Sequence, residues 1–177
     1  MSQGLQTLFA YLDRLEGRAP LAELERLLSD LDIDCADVAE FIRFSSRGYT
    51  RNLVRAGPWY HVLVLCWKNG QRSPIHNHAG SSCGVRVLRG VVTETLFQFA
   101  ANGHVKATFS RDLLPGTVCG SEDADMHQIS NLQEGDADLV TLHIYSPPLL
   151  VMGTYSLLDR SRGEELMLME FIDAAGI

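Results

Sequence analysis

The sequence predicts an all-β core, a small barrel or sandwich, preceded by an N-terminal layer of α-helices. Three observations carry this. Leucine recurs at helical spacing through the first fifty residues. From about Tyr60 the pattern changes to short β-branched and aromatic runs separated by turn residues. The length, 177 residues with 46% hydrophobic, suits a single domain over 1–177, with the helical layer at 1–50 and the barrel from about 58 to 177.

In order along the chain, Leu5, Leu8, Phe9, Leu12 and Leu15 share one face of a first helix. Leu21, Leu24, Leu27, Leu28 and Leu31 do the same in a second, after the GRAP turn at Gly17 to Pro20. Asp37 with Glu40 three residues later reads as a capping box and predicts a short third helix ahead of Phe41 and Ile42. The strands then follow as YHVLVLCW, VRVLRG, VVTETLFQF, VKATF and onward to Ser156, divided by turns such as ANGH and LPGT. The stretch from Gly163 to Ile177 reads as a strand edge or a short helix.

The net charge is −7, with 22 acidic and 15 basic residues interspersed and no basic block, which argues against nucleic acid or an anionic membrane as partner. The longest apolar run, Val62 to Trp67, is too short to span a bilayer, and the first residues do not read as a signal peptide. A cytoplasmic, monomeric protein is expected. Cys35, Cys66, Cys83 and Cys119 form no CxxC pair and read as free thiols. His61, His104 and Trp67 read as a strand histidine, a loop histidine and a core residue.

The chemistry concentrates in SPIHNHAGSSCG. On a strand, His76 and His78 point to one face and Asn77 to the other, which suits two ligands on one metal. With Gly70, Cys83 and Gly90 the spacing resembles the first metal motif of the cupin superfamily, G(x5)HxH(x4)E(x6)G, except that Cys83 stands where glutamate is usual. His127 and Asn131, in DADMHQISN after the Pro115-Gly116 turn, resemble the second motif, with Ala124 where that motif has glycine. Three neutral imidazoles without a carboxylate leave a divalent metal its full charge and several open positions, a site for anionic, chelating substrates.

Two further stretches supply polar groups. In DLVTLHIYSPP, alternation puts Thr141, His143 and Tyr145 on one face and Leu142 and Ile144 on the other. With the apolar stripe under the helices, the polar one faces the barrel interior, where its groups must be hydrogen-bonded. In RGYTRNLV, Tyr49 and Arg51 alternate onto one side with Leu53, and an arginine fork matches a carboxylate.

YTRNLV, LCW, IHNHAGSSC, VLRGVVTETLF, MHQISN and LHIYSPP, in this order over roughly residues 45–150, resemble the cysteine dioxygenase family of cupins. The resemblance implies a cupin-type jelly-roll barrel with Fe(II) on His76, His78 and His127. It implies L-cysteine and O2 as substrates and cysteine sulfinic acid as product. Arg51 would bind the substrate carboxylate with Tyr49 beside it. His143 would hydrogen-bond Tyr145, and Cys83 with Tyr145 matches the pair that forms a thioether in members carrying both. Asn77 replaces a more usual acid and Thr141 a more usual serine. Met152 stands at a position that is cysteine in the vertebrate-type enzymes and would reshape the substrate pocket. The alternatives are a 3-mercaptopropionate dioxygenase, suggested by glutamine in place of Arg51 and no cross-link cysteine, and a non-catalytic metabolite-binding cupin, which has no need of the thiol, phenol and guanidinium.

Overall fold

The structure, a computed structural model, describes residues 2–123 and 125–169. Two helices, α1 (Gln3–Leu12) and α2 (Leu21–Asp30), precede eleven strands. A five-stranded sheet has the order β1 (Thr50–Gly57), β2 (Tyr60–Trp67), β9 (Leu139–Ser146), β4 (Ser82–Arg89), β7 (Val118–Glu122). A six-stranded sheet has the order β11 (Arg162–Leu166), β10 (Val151–Tyr155), β3 (Ile75–His76), β8 (Met126–Ser130), β5 (Val92–Phe99), β6 (Val105–Leu113).

Both helices cover the outer face of the five-stranded sheet. Ser2 caps α1 by accepting the Leu5 N–H at 3.4 Å, and the helix buries Leu5, Leu8, Phe9 and Leu12. These join Leu24 and Leu28 of α2 in one apolar cluster with Tyr60, Val62, Val64 and Cys66 of β2 and Val140, Leu142 and Ile144 of β9. The opposite faces of the same strands build the barrel interior. Leu63, Leu65, Trp67, Cys83 and Val85 there meet Val92, Ile129 and Met152 from the second sheet.

Helix α2 sits on a gap left by two glycines. Gly84 and Gly120 face each other across β4 and β7. A Cβ on Gly84 would lie 2.8 Å from Leu28 Cδ1 and 3.3 Å from Leu24 Cβ, and one on Gly120 would lie 2.6 Å from Leu21 Cδ1. The end of α2 is then held by Arg86, whose Nη1 donates to the carbonyls of Leu28 and, at 2.7 Å, Leu31.

Several expectations are corrected. In place of a third α-helix there is a single 3-10 turn, Ala39–Phe41. The Asp37 carboxylate turns back to the Asp34 N–H at 3.0 Å, while Asp34 accepts the N–H groups of Ala36 and Asp37, so these side chains satisfy local turns instead of capping a helix. The sheet begins at Thr50, ahead of the expected residue 58. The tail contributes an exposed edge strand, β11, the first of the two forms expected for it; residues 170–177, like Ala124, lie outside the described residues. No helix among the described residues is long and apolar enough to cross a membrane.

Gly84→Val is expected to lower stability by about 1–3 kcal/mol, because Leu24 and Leu28 must retreat and lift α2. Urea unfolding checks this; an unchanged midpoint would mean that α2 does not depend on the gap.

Candidate metal centre

His76 closes β3 and is registered directly opposite His127 of β8. The strand expected through His78 ends at His76. His78 follows in a turn fixed by its own backbone, its N–H donating to the Asp123 carbonyl and its carbonyl accepting from Ser81 N–H at 2.9 Å. Ala79, at φ 45°, and Gly80, at φ 89°, carry that turn through the left-handed region. Asn77 points away from the cluster, as its alternation predicts. Its Oδ1 accepts from Gly153 N–H and its Nδ2 donates to the Tyr155 hydroxyl, which ties the turn to β10.

The three imidazoles converge, with ring centroids 4.7 to 5.3 Å apart and one ligand nitrogen from each within 4.8 Å of the others. Their tautomers follow from their neighbours. His76 Nδ1 lies 3.0 Å from the Pro74 carbonyl, and His127 Nδ1 lies 2.9 Å from Glu94 Oε1. Both partners are acceptors, so both Nδ1 atoms carry the proton and both Nε2 atoms keep a lone pair. Neither buried nitrogen of His78 has any hydrogen-bond partner. An orphaned imidazole beside two lone pairs fits a metal ion, which would take all three nitrogens. Burial, then the neighbouring His127, pushes His76 down to about 3; the same causes hold His78 well below its ordinary value. Metal-free, both stay neutral.

The cavity beside the cluster is lined by the other residues that the sequence singled out: Tyr49, Arg51, Cys83, His143, Tyr145 and Met152. A polar row crosses it. Trp67 Nε1 donates to Thr141 Oγ1 at 3.1 Å, Thr141 Oγ1 meets His143 Nε2 at 2.9 Å, and His143 Nδ1 meets the Tyr145 hydroxyl at 3.1 Å. Two proton settings satisfy the last bond, since imidazole and phenol can exchange donor and acceptor roles. Cys83 faces Tyr145 across β4 and β9. Burial raises the Tyr145 hydroxyl and the Cys83 thiol well above their ordinary values.

Arg51 is 8% exposed. Its guanidinium carbon lies 5.2 Å from the Tyr145 ring centre, and its Nε is buried without a partner. Tyr49 stacks on Trp67 at 4.2 Å between ring centres. A buried guanidinium with an unused donor is a receptor for an anion.

Two residues of the site were not singled out from the sequence. Trp67 was read as core, and it is, yet its N–H anchors the polar row. Glu94, within VVTETLFQF, holds His127. Its signal is a carboxylate in the inward phase of a strand: Val92 and Glu94 are buried, Thr93 between them less so. His61 is registered opposite Tyr145 from the β2 side, and His104 lies in the turn before β6.

The depressed imidazoles set a pH dependence. Unfolded histidines bind protons below about 6.5 while the folded ones do not, so the unfolded state is favoured as pH falls through that value toward about 3. The metal-free protein should lose unfolding free energy between pH 7 and 5, above the range where carboxylates titrate, as measured by urea titrations at each pH. Flat stability over that span would mean that the cluster protonates normally.

The family model described as "Cysteine dioxygenase type I" matches residues 8–157. Human cysteine dioxygenase type 1 is 32% identical over 132 residues, covering 71% of this chain and 64% of the human protein. The bovine protein of the same name is 30% identical over 161 residues, covering 88% of this chain and 78% of its own. The match thus spans less than two thirds of the human relative. Among solved structures, a Bacillus halodurans protein superposes with a TM-score of 0.53 at 16% identity, covering 67% of this chain and 82% of its own. A Thermus thermophilus protein gives 0.52 at 18%, covering 63% and 94%. These likenesses bear on the fold alone, two antiparallel sheets packed face to face. With the family match running from α1 to β10 over the whole cavity, the chain belongs to the cysteine dioxygenase type I family.

Proposed function

We propose that this protein is an iron-dependent thiol dioxygenase that converts L-cysteine to cysteine sulfinate. The reaction balances without a cosubstrate. The sulfur gives up four electrons, dioxygen accepts four, both oxygen atoms end on sulfur, and the thiol proton is released. The observation that carries the reading is Arg51, a buried guanidinium with a free donor in the same cavity as the three histidines. That pairing of an anion receptor with a metal site fits a small chelating acid.

Ferrous iron on His76, His78 and His127 would supply the open-shell centre that lets triplet dioxygen react with a closed-shell thiolate, with open positions left by the absent carboxylate ligand. The chain's own residues do the rest. Arg51 grips the substrate carboxylate, and Tyr49, stacked on Trp67, walls that side of the cavity. Leu65, Ile129 and Met152 give the lining its apolar part and keep water from competing. Tyr145 lines the cavity, and because the imidazole behind it can either donate to or accept from its hydroxyl according to tautomer, Tyr145 can accept a hydrogen bond from the substrate or donate one to it. The cross-strand pairing of Cys83 with Tyr145 supports a thioether between them, in which the thiol S–H and a ring C–H of Tyr145 are lost as two protons and the two electrons released pass to dioxygen. Such a bond would fix the ring in place.

Met152, 1% exposed in the cavity lining, bears on which thiol fits best and makes 3-mercaptopropionate the competing substrate. A purely binding role has no use for the Thr141–His143–Tyr145 row.

The test is a side-by-side assay of the iron-loaded protein with L-cysteine and 3-mercaptopropionate, following oxygen uptake and identifying products by mass spectrometry. Cysteine sulfinate formed at one oxygen molecule per thiol, with the second thiol far slower, is the expected result. Faster turnover of 3-mercaptopropionate would replace the substrate assignment, and no oxygen uptake with either would sink the dioxygenase reading. Arg51→Gln should lower kcat/KM for L-cysteine by about 10- to 100-fold, chiefly through KM. It should cost far less with cysteamine, which lacks the carboxylate; equal losses would remove Arg51 from substrate binding. Tyr145→Phe should lower kcat by about 100-fold with KM little changed, and a normal kcat would exclude the phenol from proton handling.

A further inference from the structure

Behind His127 lies a row of side chains that the proposed reaction does not use. Glu94 on β5 is registered opposite Arg111 on β6. Across the other edge of β5, His127 on β8 is registered opposite Leu96, so Glu94 is its diagonal neighbour on the same face. The two carboxylate oxygens are divided between these strands. Oε1 accepts from His127 Nδ1 at 2.9 Å, and Oε2 accepts from Arg111 Nε at 2.8 Å and Nη2 at 2.7 Å.

Glu94 is 1% exposed and is the one carboxylate among the buried polar side chains of the described residues. Burying it costs several kcal/mol unless its oxygens are all occupied. A neutral acceptor would be enough to fix the His127 tautomer, as the Pro74 carbonyl does for His76. What the carboxylate adds is charge. Arg111 cancels that charge only in part, because its side chain is 42% exposed and water screens it. The three ligands are therefore graded: His127 backed by an anion, His76 by a carbonyl, His78 by no hydrogen-bond partner.

We infer that Glu94, clamped by Arg111, is a positioning residue that sets the metal affinity and ligand field of the centre through His127. It would supply from behind a ligand the negative charge that Cys83 does not supply as a ligand. An imidazole whose N–H is given to a carboxylate is a stronger donor at its other nitrogen, and its plane is held for the metal. The inference rests on the metal-centre part of the proposed function and is independent of the reaction.

The test is Co(II) titration of the metal-free full-length protein against a competing chelator, read by the visible absorption of the bound ion. Glu94→Gln keeps size and an acceptor oxygen but removes the charge. It should weaken Co(II) binding about 10- to 100-fold and shift the ligand-field bands, with thermal unfolding of the metal-free protein little changed. Arg111→Met lifts the partial cancellation but also removes the clamp that keeps Glu94 ionised and aimed at His127; with the clamp the larger effect, it should weaken binding by a smaller factor, and Arg111→Lys should recover part of the loss. Glu94→Gln binding Co(II) within about twofold of the unaltered protein, with the same bands, would overturn the inference. Should Glu94→Gln fail to fold, Arg111→Met decides: an affinity and spectrum equal to those of the unaltered protein overturn the inference, and a loss repaired by lysine supports it. An unaltered protein that takes up no Co(II) at all would remove the metal centre itself, a result distinct from equal affinities.

Discussion

Every residue of β9 from Leu139 to Ser146 is buried, so this strand must satisfy two environments at once. Val140, Leu142 and Ile144 face the helices, while Thr141, His143 and Tyr145 lie on the opposite face, the last two in the cavity lining. Since side chains alternate with a period of two, a one-residue slip would drive the imidazole and the phenol into leucine and bring isoleucine to the metal. Both neighbours lock the register: β2 through His61 to Trp67, and β4 through Ser82 to Arg89. The helix layer adds to the lock, since α2 fits only over the Gly84–Gly120 pair that the register of β4 and β7 brings together. Packing on the outside thereby fixes the geometry of chemistry on the inside.

The electrostatics of the interior have a similar economy. Burial holds His76 and His78 toward their neutral forms, and among the described residues the buried side chains that carry a formal charge are Arg51 and Glu94. Under the proposed reading, a divalent ion and Arg51 bring three positive charges, and the substrate thiolate, the substrate carboxylate and Glu94 bring three negative ones. By that count Arg51 and Glu94 balance each other in the metal-free interior, and once a divalent ion is added neutrality inside the low-dielectric barrel is restored only by the doubly anionic substrate. A substrate lacking either anion leaves a buried charge unmatched, which is a physical source of selectivity for small thiol acids.

What the sequence made legible was whatever depends on local spacing. The alternation of β9 and most of the leucine faces of α1 and α2 are patterns within one element and stand where they were expected, though Leu15 and Leu31 lie past the helix ends; His76 and His78 converge as their spacing suggested, with His78 in the turn after β3 and not on the strand. Features that arise between elements were not legible. Glu94 acquires its role from Arg111 on one side and His127 on the other, and Trp67 from a threonine 74 positions away. Strand β1 reads only as the alternation of Tyr49, Arg51 and Leu53 ahead of the barrel, because it pairs on one side only and its second half is largely open to solvent, so Arg55 and its neighbours break the alternation. The third helix failed for a local reason of another kind. Asp34 and Asp37 can bond nearby N–H groups in a turn as readily as at a helix start, and the turn won.

The position where the general cupin motif has a carboxylate ligand is filled by a thiol, and its environment decides what that thiol can be. Burial raises Cys83 well above the ordinary thiol range, and the neighbouring Cys119, itself pushed to about 12, adds to the rise. The ligand atoms that converge are those of His76, His78 and His127, and Cys83 stands outside that group. In the proposed reaction the thiolate sulfur that would reach the metal is therefore the substrate's. A carboxylate ligand at the same place would occupy a coordination position and spend part of the metal's charge before the substrate arrived. In the proposed reaction the exchange of glutamate for cysteine would therefore leave the site open to an external sulfur, while Glu94, hydrogen-bonded to His127, keeps a negative charge near.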